Sequence, residues 1–328
     1  MTLERANDRL VELGDLDELV RHIDRLSGDG EWQGLVDLRD RCRAALDRGK
    51  QLWPAASLAE YRLALDAPGS FAGRGIRPAA GHLALGPLPE VAASTHTWAQ
   101  LRGSIPAGPL VTVTAHERVV RGEDLTDESL LDDRVLDLPA KLGHWERDYA
   151  LAEYHADVAR FPPPPLPPRR DVRLPGAVDR IDDLTTTSAL LELPRAWTAE
   201  SNGRAEAVAI AGDALAAIAT LGPSRARVAE LEPSTAVAWL AWVGASGGAH
   251  GRRRGMAAGR FGAWWSLAAL GGVEDEWPLS SDEMGTIAGE LRWLSWDAWE
   301  PDTGWRFHLA IEDPTEGLAW AVSATDAA

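Results

Sequence analysis

Residues 291–324, LRWLSWDAWEPDTGWRFHLAIEDPTEGLAWAVSA, decide the fold class of this chain. Three short runs rich in aromatic and β-branched residues, LRWLSWDAW, GWRFHLAIED and GLAWAVSA, are separated by PDTG and DPTEG, and both spacers carry turn chemistry. The reading is a three-stranded antiparallel β-meander. Alternation along the first run puts Trp293, Ser295, Asp297 and Trp299 on one face and Leu294, Trp296 and Ala298 on the other, so both faces are expected to be partly covered.

Upstream of the meander the apolar pattern is mainly helical. Leu10, Leu13, Leu16, Leu19 and Ile23, then Leu35, Leu38, Cys42 and Leu46, recur near helical spacing, with Asp15 or Asp17 placed to cap the second helix. A third helical unit fills residues 55–67 between Pro54 and Pro68, residues 69–90 read as loop, and EVAASTHTWAQL (90–101) reads as another helix. LVTVTAHERVVR (110–121) suits a strand or a helix equally. FPPPPLPPRRDVRLPG (161–176) enforces a stiff polyproline II stretch and marks the clearest boundary; it is expected to be an ordered strap, with a PxxP docking segment as the alternative. An Ala-rich helix is expected from about Gly203 to Leu221. The predicted class is α+β, predominantly α-helical, with a mainly helical lobe over 1–160, a Pro-rich strap over 161–185, and a helical lobe over 186–328 that ends in the Trp-rich meander.

Composition narrows the functional classes. The chain has 328 residues, 45% hydrophobic and 25% charged, which is ordinary for a folded protein with a sizeable core. A net charge of −17 and a pI near 4.9 would repel a phosphate backbone, so nucleic acid is not an expected partner. The single cysteine, Cys42, excludes an internal disulfide framework and a multi-thiolate zinc site. The eight histidines are scattered with no H-E-x-x-H, and the acidic stretch Glu123–Asp137 lacks EF-hand spacing, so no metal is expected. There is no P-loop and no dinucleotide fingerprint, and no cofactor is expected. The first residues lack a signal-peptide pattern, and no apolar run approaches the ~18 residues of a membrane span. The cytoplasm is the expected compartment.

The segment richest in potential chemistry is Gly244–Trp265, GASGGAHGRRRGMAAGRFGAWW. It supports three readings. A G-x-S-x-G match at Gly244, Ser246 and Gly248 could be a nucleophile elbow, which needs a strand before the serine and a helix after it. His308 would then be the base, and Asp275 or Asp282 its orienter. The second reading places an anion or phosphoryl ligand on His250, Arg252, Arg253 and Arg254 at a helix start, where free amides favour negative charge. The third is packing: Gly251, Gly255, Gly259 and Ala263 line one helical ridge, Arg260 sits one turn before Trp264, and the arginines neutralise acidic neighbours such as Glu274–Glu276.

ALGPLPEVAASTHTWAQL (84–101), HERVVRGEDL (116–125), the Gly244–Trp265 segment and GWRFHLAIEDPTEGLAWAVSA (304–324) together resemble an uncharacterised bacterial family best known from GC-rich actinobacteria. The resemblance covers most of the chain from the second helix onward. It implies a domain of unknown function and transfers no substrate, cofactor or catalytic residue. The expected function is therefore a non-catalytic interaction or scaffold role, through a protein partner or self-association. The serine hydrolase and the anion site are the alternatives, and an enzyme is the less favoured class.

Overall fold

The computed structural model describes residues 3–132, 134–146, 149–299 and 303–327. Among the described residues, 45% are helical and all strand pairing is antiparallel. The chain divides into two compact units, one of residues 1–135 and 152–160, the other of residues 136–151 and 161–328.

The first unit contains α1 (Leu3–Leu13), α2 (Leu16–Gly28), α3 (Trp32–Leu46), α4 (Trp53–Asp66), α5 (Gly69–Gly75), α6 (Leu88–Thr95), α7 (Trp98–Leu101) and α8 (Pro109–Val119), with the two-residue strands β1 (Glu153–Tyr154) and β2 (Ala159–Arg160). Asp15 caps α2, its carboxylate accepting from the Glu18 amide at 3.1 Å. Leu19, Ile23, Leu35, Leu38 and Cys42 form the core of this unit, and burial pushes the Cys42 thiol up to about 12, which keeps it unreactive. Two local expectations are corrected. Residues 69–75 form α5 rather than loop, and the single helix expected over 90–101 is interrupted because Thr97 starts a new capping box, its amide donating to the Gln100 side chain at 2.9 Å. The ambiguous run at 110–121 is helical from Pro109, whose missing N–H is harmless in a first turn.

The second unit contains β3 (Arg170–Arg173), α9 (Leu184–Glu192), α10 (Arg195–Ala199), β4 (Arg204–Ala211), α11 (Ala214–Thr220), β5 (Arg225–Leu231), α12 (Pro233–Ala245), α13 (Met256–Leu270), α14 (Ser281–Glu290), β6 (Arg292–Asp297), β7 (Trp305–Asp313) and β8 (Leu318–Asp326). The three meander strands are present as β6, β7 and β8, but they are the middle of a six-stranded sheet ordered β3-β5-β6-β7-β8-β4, not a separate three-stranded one. Of the PDTG turn, Pro301 and Asp302 lie outside the described residues. The extra strands come from segments whose composition pointed elsewhere. RAEAVAIA, the first half of the expected Ala-rich helix, pairs as β4 with β8 from Leu318 to Thr325, and only after Gly212 does Asp213 cap the short helix α11. Pairing across a buried sheet outweighs the helix preference of alanine, which is a fraction of a kcal/mol per residue.

One face of the sheet, including Val208, Ile210, Val228, Leu294, Trp296, Ala310 and Ala321, packs on α11. The opposite face meets the longer helices: the Trp239 ring of α12 stacks near Phe307, and the Trp293 indole donates to Ala288 O of α14 at 2.9 Å. Helices α12 and α13 pack closely through Gly259. A methyl group there would run into the Ala241 carbonyl and Ala245. Gly259→Ala is therefore expected to cost about 1–3 kcal/mol of stability by overpacking; an unchanged urea midpoint would show that the two helices can part freely. The glycine ridge is shorter than its sequence spacing, since α13 begins at Met256 and leaves Gly251 and Gly255 ahead of it.

Residues 136–151 enter this unit through a buried charge pair. The Glu146 carboxylate accepts from Arg260 Nε and Nη2 at 2.7 Å each, from Trp264 Nε1 at 2.8 Å, from the Tyr149 hydroxyl at 2.6 Å and from the Gly143 amide at 2.8 Å. Arg260 also donates to the carbonyls of Pro139 and Lys141, and its guanidinium lies 5.2 Å from the Trp264 ring centroid, the stacking expected from their spacing. Burial pushes Glu146 up, but the guanidinium, hydroxyl and amide donors outweigh it and hold the carboxyl below its ordinary range.

Candidate functional site

Strand register creates the most distinctive concavity of the second unit. β6 and β7 pair only from Arg292↔Glu312 to Ser295↔Leu309, whereas β5 follows β6 out to Arg227↔Asp297 and β8 follows β7 out to Trp305↔Asp326. Beyond Ser295 and Leu309 the sheet forks. The diverging ends, Trp239 and Trp242 of α12, and the proline stretch 163–168 with Phe161 and Arg169 line a half-open cavity of about 910 Å³. Prolines fix the backbone of that wall, and the Trp242 indole donating to Phe161 O at 3.4 Å anchors its start.

The walls combine aromatic surface with a few polar groups. Trp242 and Trp305 stack with centroids 5.0 Å apart at 24°, and Trp239 lies near parallel to Phe307 at 6.5 Å and 15°. Asp297, 4% exposed, accepts from Arg227 Nε at 2.8 Å and Arg169 Nη1 at 3.1 Å, and it also takes the Trp299 amide at 3.0 Å. Burial raises its pKa, but the amide and the two guanidiniums more than reverse this and keep it ionised. His308 stacks on Trp296 at 4.5 Å and 17°. Burial, together with the charges of Arg306 and Arg169, lowers it to about 4, so it is a neutral imidazole near pH 7. Ser295, Asp297 and His308 all line the cavity, but the β6–β7 register sends His308 to the face of Trp296 and the other two to the opposite face. That alternation works against a Ser-His-Asp relay.

The residues singled out from sequence are dispersed. Ser246 closes α12, so a helix and not a strand precedes it; the side chain is 1% exposed and its Oγ accepts from the Gly248 amide at 3.0 Å. The strand–turn–helix expected of an elbow is therefore replaced by a helix end followed by a turn. Asp275 is exposed in the 3-10 turn Glu274–Glu276, and Asp282 is exposed in the first turn of α14. His308 alone of the four lines the cavity. The Arg252–Arg254 run stands before α13 rather than at its first turn. The Arg252 amide donates to Glu200 at 2.9 Å, Arg253 lies 4.6 Å over the Phe161 ring, and Arg254 approaches Glu192 at 3.8 Å, so the acidic neighbours are these two rather than Glu274–Glu276. His250 is exposed in the connecting turn. Most indoles of the C-terminal half are inside: Trp264, Trp293, Trp296 and Trp320 are 0–3% exposed, while Trp299 is 43% exposed.

Sequence reasoning missed Arg169, Arg227 and Arg306 as a group, and Asp297 as their acceptor. No motif joins them. The available signal was alternation in RARVAEL and LRWLSWD, which makes each a strand, yet only their register brings Arg227 opposite Asp297. Among the described residues, no group of three or more His, Cys, Asp or Glu side chains could hold a metal ion, and no helix is long and apolar enough to cross a membrane.

No curated protein and no solved structure matches the chain. A family model does match, from residue 17 to residue 328, that is from the start of α2 through the later helices, the proline stretch and all of the forked sheet: the chain belongs to DUF6183, a family of unknown function.

Proposed function

We propose that the C-terminal unit is a binding module for a small organic anion, held in the cavity at the fork of β6 and β7. The observation that carries this reading is the charge of the wall. Among the described lining residues there are three guanidiniums, Arg169, Arg227 and Arg306, and one carboxylate, Asp297, already shared by two of them. A chain of net charge −17 concentrates positive potential here, where low-dielectric aromatic walls strengthen it. Guanidinium donors match carboxylate and phosphate geometry, and a volume of about 910 Å³ lies within the range of small-molecule sites. Asp297 then acts as the positioning group that holds two arginine side chains in place.

Thermal denaturation at constant ionic strength, with phosphate, sulfate, citrate and benzoate as probes, is expected to show stabilisation by at least one of them. Arg306→Gln and Arg169→Gln are each expected to weaken that anion about 10-fold or more, the usual loss of a charge-assisted hydrogen bond. Arg254→Gln, outside the cavity, is expected to leave the affinity unchanged. An absence of stabilisation by every probe, or affinities that survive both cavity replacements, would overturn the reading.

A further inference from the structure

Trp299, two residues beyond the end of β6, combines two unfavourable features. Its side chain is 43% exposed, and its φ of +59° lies in the left-handed region that residues other than glycine seldom adopt. Such a backbone persists only where its surroundings hold it, and it concentrates at ligand clamps and other working sites. Here the Trp299 amide donates to Asp297 Oδ1 at 3.0 Å, the oxygen that also accepts from Arg227 Nε at 2.8 Å. The indole then lies against two arginines of β5, its ring centroid 5.9 Å from the Arg227 guanidinium carbon and 5.2 Å from that of Arg225. Two residues apart on one strand, these arginines project from the same face.

We infer that Trp299 is a positioning residue of the anion site, holding the Arg227 guanidinium through its ring while Asp297 holds it through hydrogen bonds; this rests on the anion-binding reading above. Arg227 lines the cavity with 41% of its side chain exposed, so without restraint it would lose rotamer freedom on meeting a ligand. Asp297 is a shared anchor, since its other oxygen accepts from Arg169 Nη1 at 3.1 Å. A second carboxylate beside Arg227 would hold it as firmly but would cancel the charge that an anion needs. The indole attracts the guanidinium through its quadrupole and carries no net charge, so it restrains Arg227 and leaves the positive potential of the wall intact.

The test is a pair of double-mutant cycles on anion affinity in the full chain, with phosphate, sulfate, citrate and benzoate as probes and titration calorimetry at low ionic strength as the measurement. Trp299→Leu keeps apolar bulk without a ring and is expected to weaken binding about 2- to 5-fold, the factor that corresponds to an exposed contact between a cation and a ring. Trp299→Phe restores a ring and is expected to recover most of that affinity. In an Arg227→Gln background Trp299→Leu is expected to change nothing further, because the group it holds is gone, whereas in an Arg306→Gln background its full effect persists. A purely structural role would weaken binding alike in both backgrounds. Equal binding by the parent chain and Trp299→Leu, a failure of phenylalanine to restore affinity, or a loss that survives Arg227→Gln overturns the inference and leaves the anion site standing. No binding of any of the four probes by the parent chain removes both.

Discussion

Arg260→Met is expected to destabilise the C-terminal unit by about 3–5 kcal/mol, the loss typical of breaking a buried ion pair from one side. Both side chains of the Glu146–Arg260 pair are fully shielded from solvent. The replacement would leave a carboxylate in the interior with only the Trp264, Tyr149 and Gly143 donors, and it would strip the carbonyls of Pro139 and Lys141 of their partner. Glu146→Gln is expected to be costly for the converse reason, stranding a guanidinium. Because each single change leaves an uncompensated charge, the double replacement Glu146→Gln with Arg260→Met is expected to cost clearly less than the sum of the two. Urea denaturation of the four proteins completes the cycle. Strict additivity, or a cost below about 1 kcal/mol for Arg260→Met, would mean that the interior relaxes around the lost charge, contrary to the geometry.

That network also shows what kind of information the sequence carries. Arg260 and Trp264 are one helical turn apart, so their stacking was readable from spacing; Glu146 is 114 residues away and no local rule points to it. The same division runs through the fold. The strands at 292–326 were legible because turns bound them and aromatic residues fill them. β4 was not, because its alternate small residues are alanines and alanine says nothing about which face is buried. β5 carried a readable alternation, but a single strand has no sheet until its neighbours are known. β3 follows six prolines, and its four residues, RDVR, are mostly exposed at a sheet edge, where charged side chains discourage further pairing.

The candidate site was legible only in its parts. His308 was marked in the sequence only by a chain order suggestive of a hydrolase, and the tryptophans only as the filling of the expected meander. What joins them is a fork in the sheet, set by where β6 stops pairing with β7, and register of that kind is a property of the assembled sheet. The G-x-S-x-G match illustrates the opposite error. Gly248 has φ near +70°, and a side chain on Gly247 would strike the backbone of Gly251 and Arg252, so these glycines are required by a tight turn after α12. The spacing is that of a nucleophile motif, but the physical demand behind it is close backbone approach.

Acidification from pH 6.5 to 4.5 is expected to remove about 2–3 kcal/mol of stability through His308 alone, and His308→Gln is expected to abolish that part of the loss. The imidazole is buried between Trp296 and a lining that includes Arg306 and Arg169, with Asp297 the nearby charge that favours protonation. Folding lowers its pKa to about 4 from an unfolded value near 6.5, so between those limits the unfolded chain binds the proton and the folded chain does not. The stability associated with the neutral ring is therefore fully present above pH 6.5 and declines as the pH falls toward 4. Glu146 and Asp297 have depressed pKa values and lose their contribution only as pH falls below the ordinary carboxylate range, which leaves the upper window to histidine. His22 of the helical unit is also lowered, by burial and by Arg25, and its loss has the same sign. The informative quantity is thus the difference between the parent chain and His308→Gln, from urea midpoints at pH 7 and pH 4.5. Parallel pH profiles for the two proteins would show that the ring is not held neutral by its surroundings. A converging pair would establish that the cavity wall tolerates no further positive charge beside Arg169, Arg227 and Arg306, which is the property an anion site needs if its affinity is to come from guanidinium alone.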